Sequence, residues 1–153
     1  MYSRQEASRI KETFWTRLGQ YMRPVKNAEG LEINWINYRT GEPQVQIRME
    51  ATNNSAWIGL VFSHNDPGIR ALYWEQLQEL KRLFISTAGS DWDWIARERH
   101  PEGRETALIR RKLEDVSIFR EEDWPQLISF FKDGLTRLDS FWTEAKLAFE
   151  SLK

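Results

Sequence analysis

The sequence contains no cysteine and only two histidines, His64 and His100. Without thiols, the chain can have no disulfide framework, no cysteine nucleophile and no cysteine-ligated metal or iron–sulfur site. Two histidines alone are little material for a zinc centre, which usually needs three or four nitrogen or sulfur ligands. We therefore expect neither a bound metal ion nor a cofactor.

Long apolar runs are missing as well. No run approaches the roughly 18 residues that a membrane-spanning helix needs. Residues 1–6 are polar and lead directly into a helix-like stretch, without the apolar core of a secretory signal peptide. These two absences predict a soluble protein of the cytoplasm.

Standard catalytic motifs are absent too. The chain has no phosphate-binding loop of the G-x-x-x-x-G-K-[ST] type, no G-x-G-x-x-G, no H-E-x-x-H, no EF-hand loop and no G-x-S-x-G. This lowers the expectation of an enzyme without excluding one, because many active sites are assembled from scattered residues. We name no catalytic residue at this point.

The composition is that of one folded domain with many aromatic side chains. Of the 153 residues, 41% are hydrophobic and 29% are charged, which is ordinary for a globular protein. No linker or repeat divides the chain, so we predict a single domain over residues 1–153. Eight Trp, eight Phe and four Tyr suit a compact core or an interface anchor.

The spacing of the apolar residues predicts an α+β fold with the order α-β-β-β-α-β-β-α. We expect a mostly antiparallel sheet of about five strands, with long first and last helices packed on it. Residues 57–62 are apolar on both faces, which is typical of an interior strand. The predicted helices cover residues 7–22, 67–88 and 125–152, and the predicted strands cover residues 31–35, 44–50, 57–62, 92–99 and 106–113.

The last segment carries a regular apolar seam. From Ile128 to Leu152, apolar residues recur in alternating steps of three and four, which predicts a helix about 42 Å long over residues 125–152. Such a seam is either the spine of the core, which we favour, or a dimer interface. Gly134 would allow another backbone to approach closely. The dimer interface would use Leu135, Leu138, Trp142 and Phe149.

The predicted hairpin over residues 96–113 is rich in cations. It carries a local charge of +3 in a chain whose net charge is −1. With Trp92 and Trp94 close by, it would make a basic ribbon with aromatic platforms, able to bind nucleic acid. Alternatively it is a solvated sheet face with Arg–Glu pairs across the strands, which we favour. The cations are Arg97, Arg99, Arg104, Arg110, Arg111 and Lys112.

Two further groups of residues are candidates for chemistry. His64 and Asp66 follow an apolar strand and precede a helix, where backbone N–H groups can hold an anion beside a histidine base. Asp66 can equally be a simple helix N-cap followed by proline, which is the interpretation we favour. Asp91 and Asp93 would share a strand face and could bind a divalent cation, but Asp-x-Asp is common by chance, so we favour a solvent-exposed loop.

The order of these features resembles that of a known family. Phe14-Trp15 lies on the first helix, Trp57-Ile58-Gly59-Leu60 ends the meander, and Asp123-Trp124-Pro125 opens the last helix. This pattern, over almost the whole chain, is similar to a bacterial and archaeal domain family of unknown function. Its members occur alone or after a restriction-endonuclease-like domain. The resemblance implies a module associated with nuclease-type systems, and it supplies no catalytic residues.

Three functional hypotheses follow. The first is a non-enzymatic interaction module that binds itself or a protein partner, such as a nuclease-type protein, through the terminal seam. The second is nucleic-acid binding through the basic hairpin. The third is a metal-dependent hydrolase that uses His64, Asp66, Asp91 or Asp93.

Overall fold

A long terminal helix lies across one face of an antiparallel sheet. The computed structural model of the protein describes residues 2–153, and it confirms the α+β class. In chain order the elements are α1 (Arg4–Met22), β1 (Val45–Ala51), β2 (Ser55–Phe62), α2 (Pro67–Glu79), α3 (Lys81–Ala88), β3 (Asp93–Arg99), β4 (Glu105–Glu114), a short 3-10 turn (Glu121–Asp123) and α4 (Trp124–Glu150).

The sheet has four strands in the order β1-β2-β4-β3, and every neighbouring pair is antiparallel. β2 is an interior strand, as its apolar residues on both faces predict. Successive side chains of a strand point to opposite faces of a sheet. Ile58 and Leu60 of β2 therefore face the helices and belong to the main core, whereas Trp57 and Gly59 face the other side.

The closest approach between helix and sheet is at Gly134. A Cβ atom at this position of α4 would lie 2.7 Å from Ile58 Cγ2 and 3.0 Å from Ile58 Cδ1. Such distances are well inside van der Waals contact, so only a glycine lets the helix lie this close to β2. The close approach expected from the sequence is confirmed.

The first helix packs against the last one through aromatic side chains. Phe14 of α1 is fully buried, and its ring meets the rings of Trp124 and Phe131 edge-on at centroid distances of 5.4 and 6.1 Å. The guanidinium of Arg17 lies 4.9 Å from the centroid of Trp124. Edge-to-face pairs of this kind stabilise a core beyond the apolar area that they bury.

The strand predicted for residues 31–35 does not form, so the sheet has four strands instead of five. The side chain of Asn34 accepts hydrogen bonds from the backbone N–H groups of Ile36 and Asn37, and this stabilises a turn. Trp35 is buried, and its indole N–H donates to the carbonyl of Val25. The alternating apolar residues at positions 31–35 therefore belong to a loop that the buried Trp35 anchors.

The single helix predicted for residues 67–88 is two helices, α2 and α3, that meet at Leu80. The φ of −95° and ψ of 17° at Leu80 interrupt the helix, and its N–H bonds to the carbonyls of Gln76 and Leu77. The hairpin of β3 and β4 is confirmed. The long terminal helix is confirmed as well, with 27 residues.

The apolar seam of α4 faces the interior of its own chain. The four side chains expected at a dimer interface have exposed fractions of only 0 to 2%, because they pack inside the core of their own chain. They are therefore not available on the surface, and the seam is the spine of the core. These residues are Leu135, Leu138, Trp142 and Phe149. Over residues 2–153, no helix combines the length and apolarity that crossing a membrane requires.

The contact between Gly134 and Ile58 can be tested with a double-mutant cycle. Replacing a glycine inside a helix by alanine normally stabilises it by about 1 kcal/mol. Here the added methyl group would overlap Ile58, and overpacking costs about 1–3 kcal/mol. We expect Gly134→Ala to lower the free energy of unfolding by about 1 kcal/mol in chemical denaturation.

In the Ile58→Ala background the added methyl group has room. Gly134→Ala should then be neutral or stabilising, and the difference between the two backgrounds measures the coupling of the two positions. An equal effect of Gly134→Ala in both backgrounds would show that the contact does not limit the approach of α4.

Candidate functional site

The face of the sheet that points away from α4 forms the candidate site, and we call it the open face. Its apolar residues Val61 and Leu108 are buried but lie outside the core that the helices share with the sheet. A cleft of about 290 Å³ lies on this face. The cleft is lined by Arg48, Glu50, Trp57, Val61, Glu98, His100, Arg104, Thr106, Leu108 and Arg110.

Two arginines flank a glycine in the middle of the open face. Arg48 of β1 pairs with Gly59 of β2, and Gly59 pairs with Arg110 of β4. A Cβ at Gly59 would lie 2.5 Å from the carbonyl oxygen of Ile109 and 3.0 Å from Arg110 Cβ. Only glycine fits there, so no side chain stands between the two arginines.

Trp57 lies one pleat away from this glycine, between Glu50 and Lys112. Its indole N–H donates to Glu50 Oε2 at 2.7 Å, which fixes the edge of the ring. The guanidinium of Arg110 lies 5.8 Å from the ring centroid, within the range of a cation–π contact. The ring is partly exposed, so the open face presents an aromatic surface held by two neighbours.

The two arginines differ in their partners. Arg110 donates to Glu98 Oε2 at 2.8 Å, and its side chain is only 20% exposed. Its Nε is buried and meets no acceptor among residues 2–153. Arg48 donates only to the neutral amide of Gln46, at 2.9 Å, and has no carboxylate partner in the described chain. Its charge is therefore free to meet a ligand.

The six cations predicted to form one basic ribbon are divided between the two faces. Lys112 and Arg110 lie on the open face, and Arg104 joins them at the rim of the cleft, where it forms an exposed pair with Glu102. Arg111 lies on the opposite face, because adjacent residues of a strand alternate. There it pairs with Asp91 and Asp133, at 3.3 and 2.7 Å, and is held in the structure.

The remaining two cations surround Glu105. Arg97 and Arg99 pair with its carboxylate at 3.6 and 3.0 Å, and Arg70 of α2 joins them at 3.3 Å. The hydrogen bond from Arg99 lowers the pKa of Glu105, and the charges of Arg97 and Arg70 act in the same direction. The register shift between Ile95 and Glu98 interrupts the alternation of side chains between the two faces of the sheet, so Arg97 and Arg99 do not continue it regularly. A continuous basic ribbon is therefore not formed.

His64 and Asp66 make structural contacts with α2. Asp66 accepts hydrogen bonds from the N–H groups of Gly68 and Ile69, at 2.8 and 3.1 Å, so it is the N-cap of α2. The ring of His64 is only 9% exposed and lies 4.2 Å from the ring of Tyr73. Its Nδ1 has no hydrogen-bond partner within residues 2–153. Burial lowers the pKa of His64, which favours the neutral ring.

The four residues of the hydrolase hypothesis do not come together. Asp91 is paired with Arg111 and Arg137. Asp93 lies opposite Arg110 in the register of β3 and β4. Phe62, at the end of β2 and two residues before His64, lies opposite Ala107, which is three positions from Arg110 on β4. This is about 10 Å along the strand. Residues 2–153 contain no group of three or more His, Asp or Glu that could hold a metal ion. The hydrolase hypothesis therefore has no site.

A second cavity, of about 270 Å³, lies between the loop over residues 27–40 and the C-terminal half of α4. Asp139 is buried behind it and accepts hydrogen bonds from the Tyr38 hydroxyl and the Ala28 N–H, at 2.6 and 2.7 Å. Burial and this carboxylate raise the pKa of Tyr38 far above its ordinary range. Tyr38 therefore stays protonated, and the pair fastens the loop to α4.

The comparison with protein families confirms one part of the resemblance noted above, namely that the chain is a domain of unknown function. A model described as a domain of unknown function, DUF4268, matches residues 10–146. The chain belongs to this family. Neither a curated protein nor a solved structure matches the sequence. The DUF4268 match covers all four strands of the sheet and thus the whole open face.

Sequence analysis missed Arg48 and Trp57 as residues of the site. The alternation of residues 44–50 placed Arg48 on a wet face, and this was the only signal for it. The meeting of Arg48, Gly59 and Arg110 depends on the register of β2 against both neighbours. This register cannot be read from any one strand.

The buried His64 predicts a pH dependence of stability. Its pKa in the folded state is lower than the ordinary value of 6.5. The folded state therefore binds fewer protons than the unfolded state in this range. The contribution of His64 is complete above about pH 6.5 and is lost as the pH falls through the folded-state pKa.

His64→Phe keeps an aromatic ring against Tyr73 and removes the titration. We expect the free energy of unfolding of this variant to fall less than that of the wild type between about pH 7.5 and 5.5, measured by urea denaturation. Equal slopes in the two proteins would mean that His64 can be protonated without cost in the folded state.

Proposed function

We propose that this DUF4268 domain is a non-enzymatic binding module that holds single-stranded nucleic acid on its open face. The observation that carries the proposal is the row of Arg48, Gly59 and Arg110 beside the partly exposed Trp57. Proteins that bind single strands combine basic groups, which follow the phosphates, with aromatic rings, on which bases stack. Both kinds of group meet here on a sheet face that α4 does not cover.

A single strand fits this surface better than a duplex. The net charge of the whole chain is −1, and Glu50 and Glu98 lie among the cations of the open face. A long polyanionic duplex would therefore gain little from the overall field. A few unpaired nucleotides need only two or three phosphate contacts and one stacking ring, and Arg48, Lys112 and Trp57 can supply them.

A protein partner is the second candidate occupant, and the mixed charge of the open face favours it. Acidic and basic side chains alternate there, as Glu50 and Lys112 do on either side of Trp57. Such a surface can be complementary to a second copy of itself, and Trp and Arg are frequent hot-spot residues. Association with nuclease-type systems remains part of both proposals, since it rests on the family resemblance.

Strand binding can be measured by fluorescence anisotropy with labelled single-stranded DNA and RNA of about ten nucleotides. With two or three phosphate contacts, we expect the logarithm of the binding constant to fall with the logarithm of salt concentration with a slope of roughly −1.5 to −2. Trp57→Ala should weaken binding on the order of tenfold or more, because it removes the stacking ring. Arg48→Gln should weaken binding and reduce the salt slope by about 0.7.

Arg82→Gln is the matched control, because Arg82 is exposed on α3, away from the open face. It should bind like the wild type, and circular dichroism should show that all variants are folded. No binding at low salt, or equal binding by all variants, would contradict the proposal. Dimerisation that Trp57→Ala abolishes in sedimentation velocity, without strand binding, would instead identify a second copy as the occupant.

A further inference from the structure

We infer that the cleft between Arg48 and Arg110 is a subsite for the phosphate group of a nucleotide. The chemical group that the open face recognises is then a phosphate. This rests on the proposed function only for the premise that the open face binds a ligand. The phosphate can belong to a free nucleotide or to a strand, and both sources present the same oxygens.

The spacing of the strands sets the size of the subsite. Arg48 and Arg110 stand on β1 and β4, on either side of Gly59 in β2. Two strand spacings separate their Cα atoms by about 10 Å. Because Gly59 has no side chain, both long side chains can turn toward the same empty position. A phosphate placed there would lie between two guanidinium groups, which match its oxygens in geometry and charge.

The hydrogen bonds of Arg110 point to an acceptor that is missing from the protein itself. Glu98 holds one terminal nitrogen of its guanidinium at 2.8 Å. The Nε of the same group is buried without an acceptor in residues 2–153. Buried donors are nearly always satisfied in native proteins, and Arg110 lines the cleft, so a small shift of its side chain toward a bound phosphate would satisfy this N–H.

The charges around the cleft leave Arg48 available. Glu98 is engaged by Arg110, and Glu50 accepts from the indole N–H of Trp57. Among the residues that the structure describes, Arg48 has only a neutral amide as its partner. Arg104 at the rim has one exposed pair, with Glu102 at 3.6 Å. A phosphate in the cleft would therefore contact Arg48, which has no acidic partner among residues 2–153, and Arg110, which Glu98 holds in place.

Trp57 makes the ligand a nucleotide rather than any phosphorylated metabolite. It lies two residues from Gly59 on β2, on the same face and about 7 Å along the strand. A nucleotide with its phosphate between the arginines can place its base beside this ring. Stacking on a tryptophan is tolerant of base identity, so the subsite should accept all four nucleotides.

The experiment compares adenosine 5′-monophosphate, adenosine and inorganic phosphate at constant ionic strength. Binding is followed by nuclear magnetic resonance, using the indole N–H signal of Trp57 and the Nε–H signal of Arg110. We expect the nucleotide to bind about tenfold more tightly than the nucleoside, because the phosphate adds charge-assisted hydrogen bonds. Hydrogen exchange at Arg110 Nε–H should slow when the nucleotide or inorganic phosphate is bound.

Arg48→Gln should remove most of the tenfold preference for the nucleotide while the protein stays folded. Arg110→Lys keeps the charge but loses the Nε–H, and it should abolish the preference as well. Arg82→Gln should leave it unchanged. Equal affinity for nucleotide and nucleoside in the wild type, or an unchanged preference in Arg48→Gln, would overturn the subsite.

The result separates this inference from the proposed function. Strand binding with no preference for the phosphorylated nucleoside would overturn the subsite and leave strand binding intact. A nucleotide preference that depends on Arg48, in a protein that binds no strand, would support the subsite and overturn strand binding. In the second case the source of the phosphate would be a free nucleotide.

Discussion

Contact between Gly134 of α4 and Ile58 of β2 sets the distance between the long helix and the sheet. At this distance the apolar seam of α4 is buried inside its own chain, and Phe14 of α1 packs against Phe131 of the same helix. Ile58 and the buried aromatic side chains of the helices belong to one continuous core. One consequence is that the helical side of the sheet is occupied, so that a ligand can approach the sheet only from its other side.

The two faces of the sheet use arginine in different ways. On the helix side, Arg111 lies between two carboxylates and against the rings of Trp92 and Phe130, so its charge is part of the structure. On the open face, within residues 2–153, the neighbouring Arg110 has one carboxylate and one unsatisfied donor, and Arg48 has no carboxylate partner. The number of cations in a hairpin is therefore a poor measure of its capacity for anions. Which cations remain unpaired is the relevant property.

The sequence alone predicts the elements that have a strong periodic pattern. It does not predict the places where a side-chain hydrogen bond or the register of the strands determines the structure. Helix α4 was predictable from its regular seam, and Asp66 from its place before a proline. The strand expected at residues 31–35 failed because the side chain of Asn34 stabilises a turn, a local hydrogen bond that the alternating pattern does not reveal. The candidate site shares Arg104, Arg110 and Lys112 with the basic hairpin predicted from the sequence, but only the pairing of three strands places Arg48 across Gly59 from Arg110.

The loop over residues 27–40 is tied to α4 by bonds that span most of the chain. Ala28 and Tyr38 bond to Asp139, and Thr40 accepts from Trp142, across 111, 101 and 102 positions. Closing contacts of such sequence separation costs more chain entropy than closing local ones, and this slows folding. During synthesis on the ribosome, this loop emerges before α4 does. These three hydrogen bonds can therefore form only after the last helix has been synthesised.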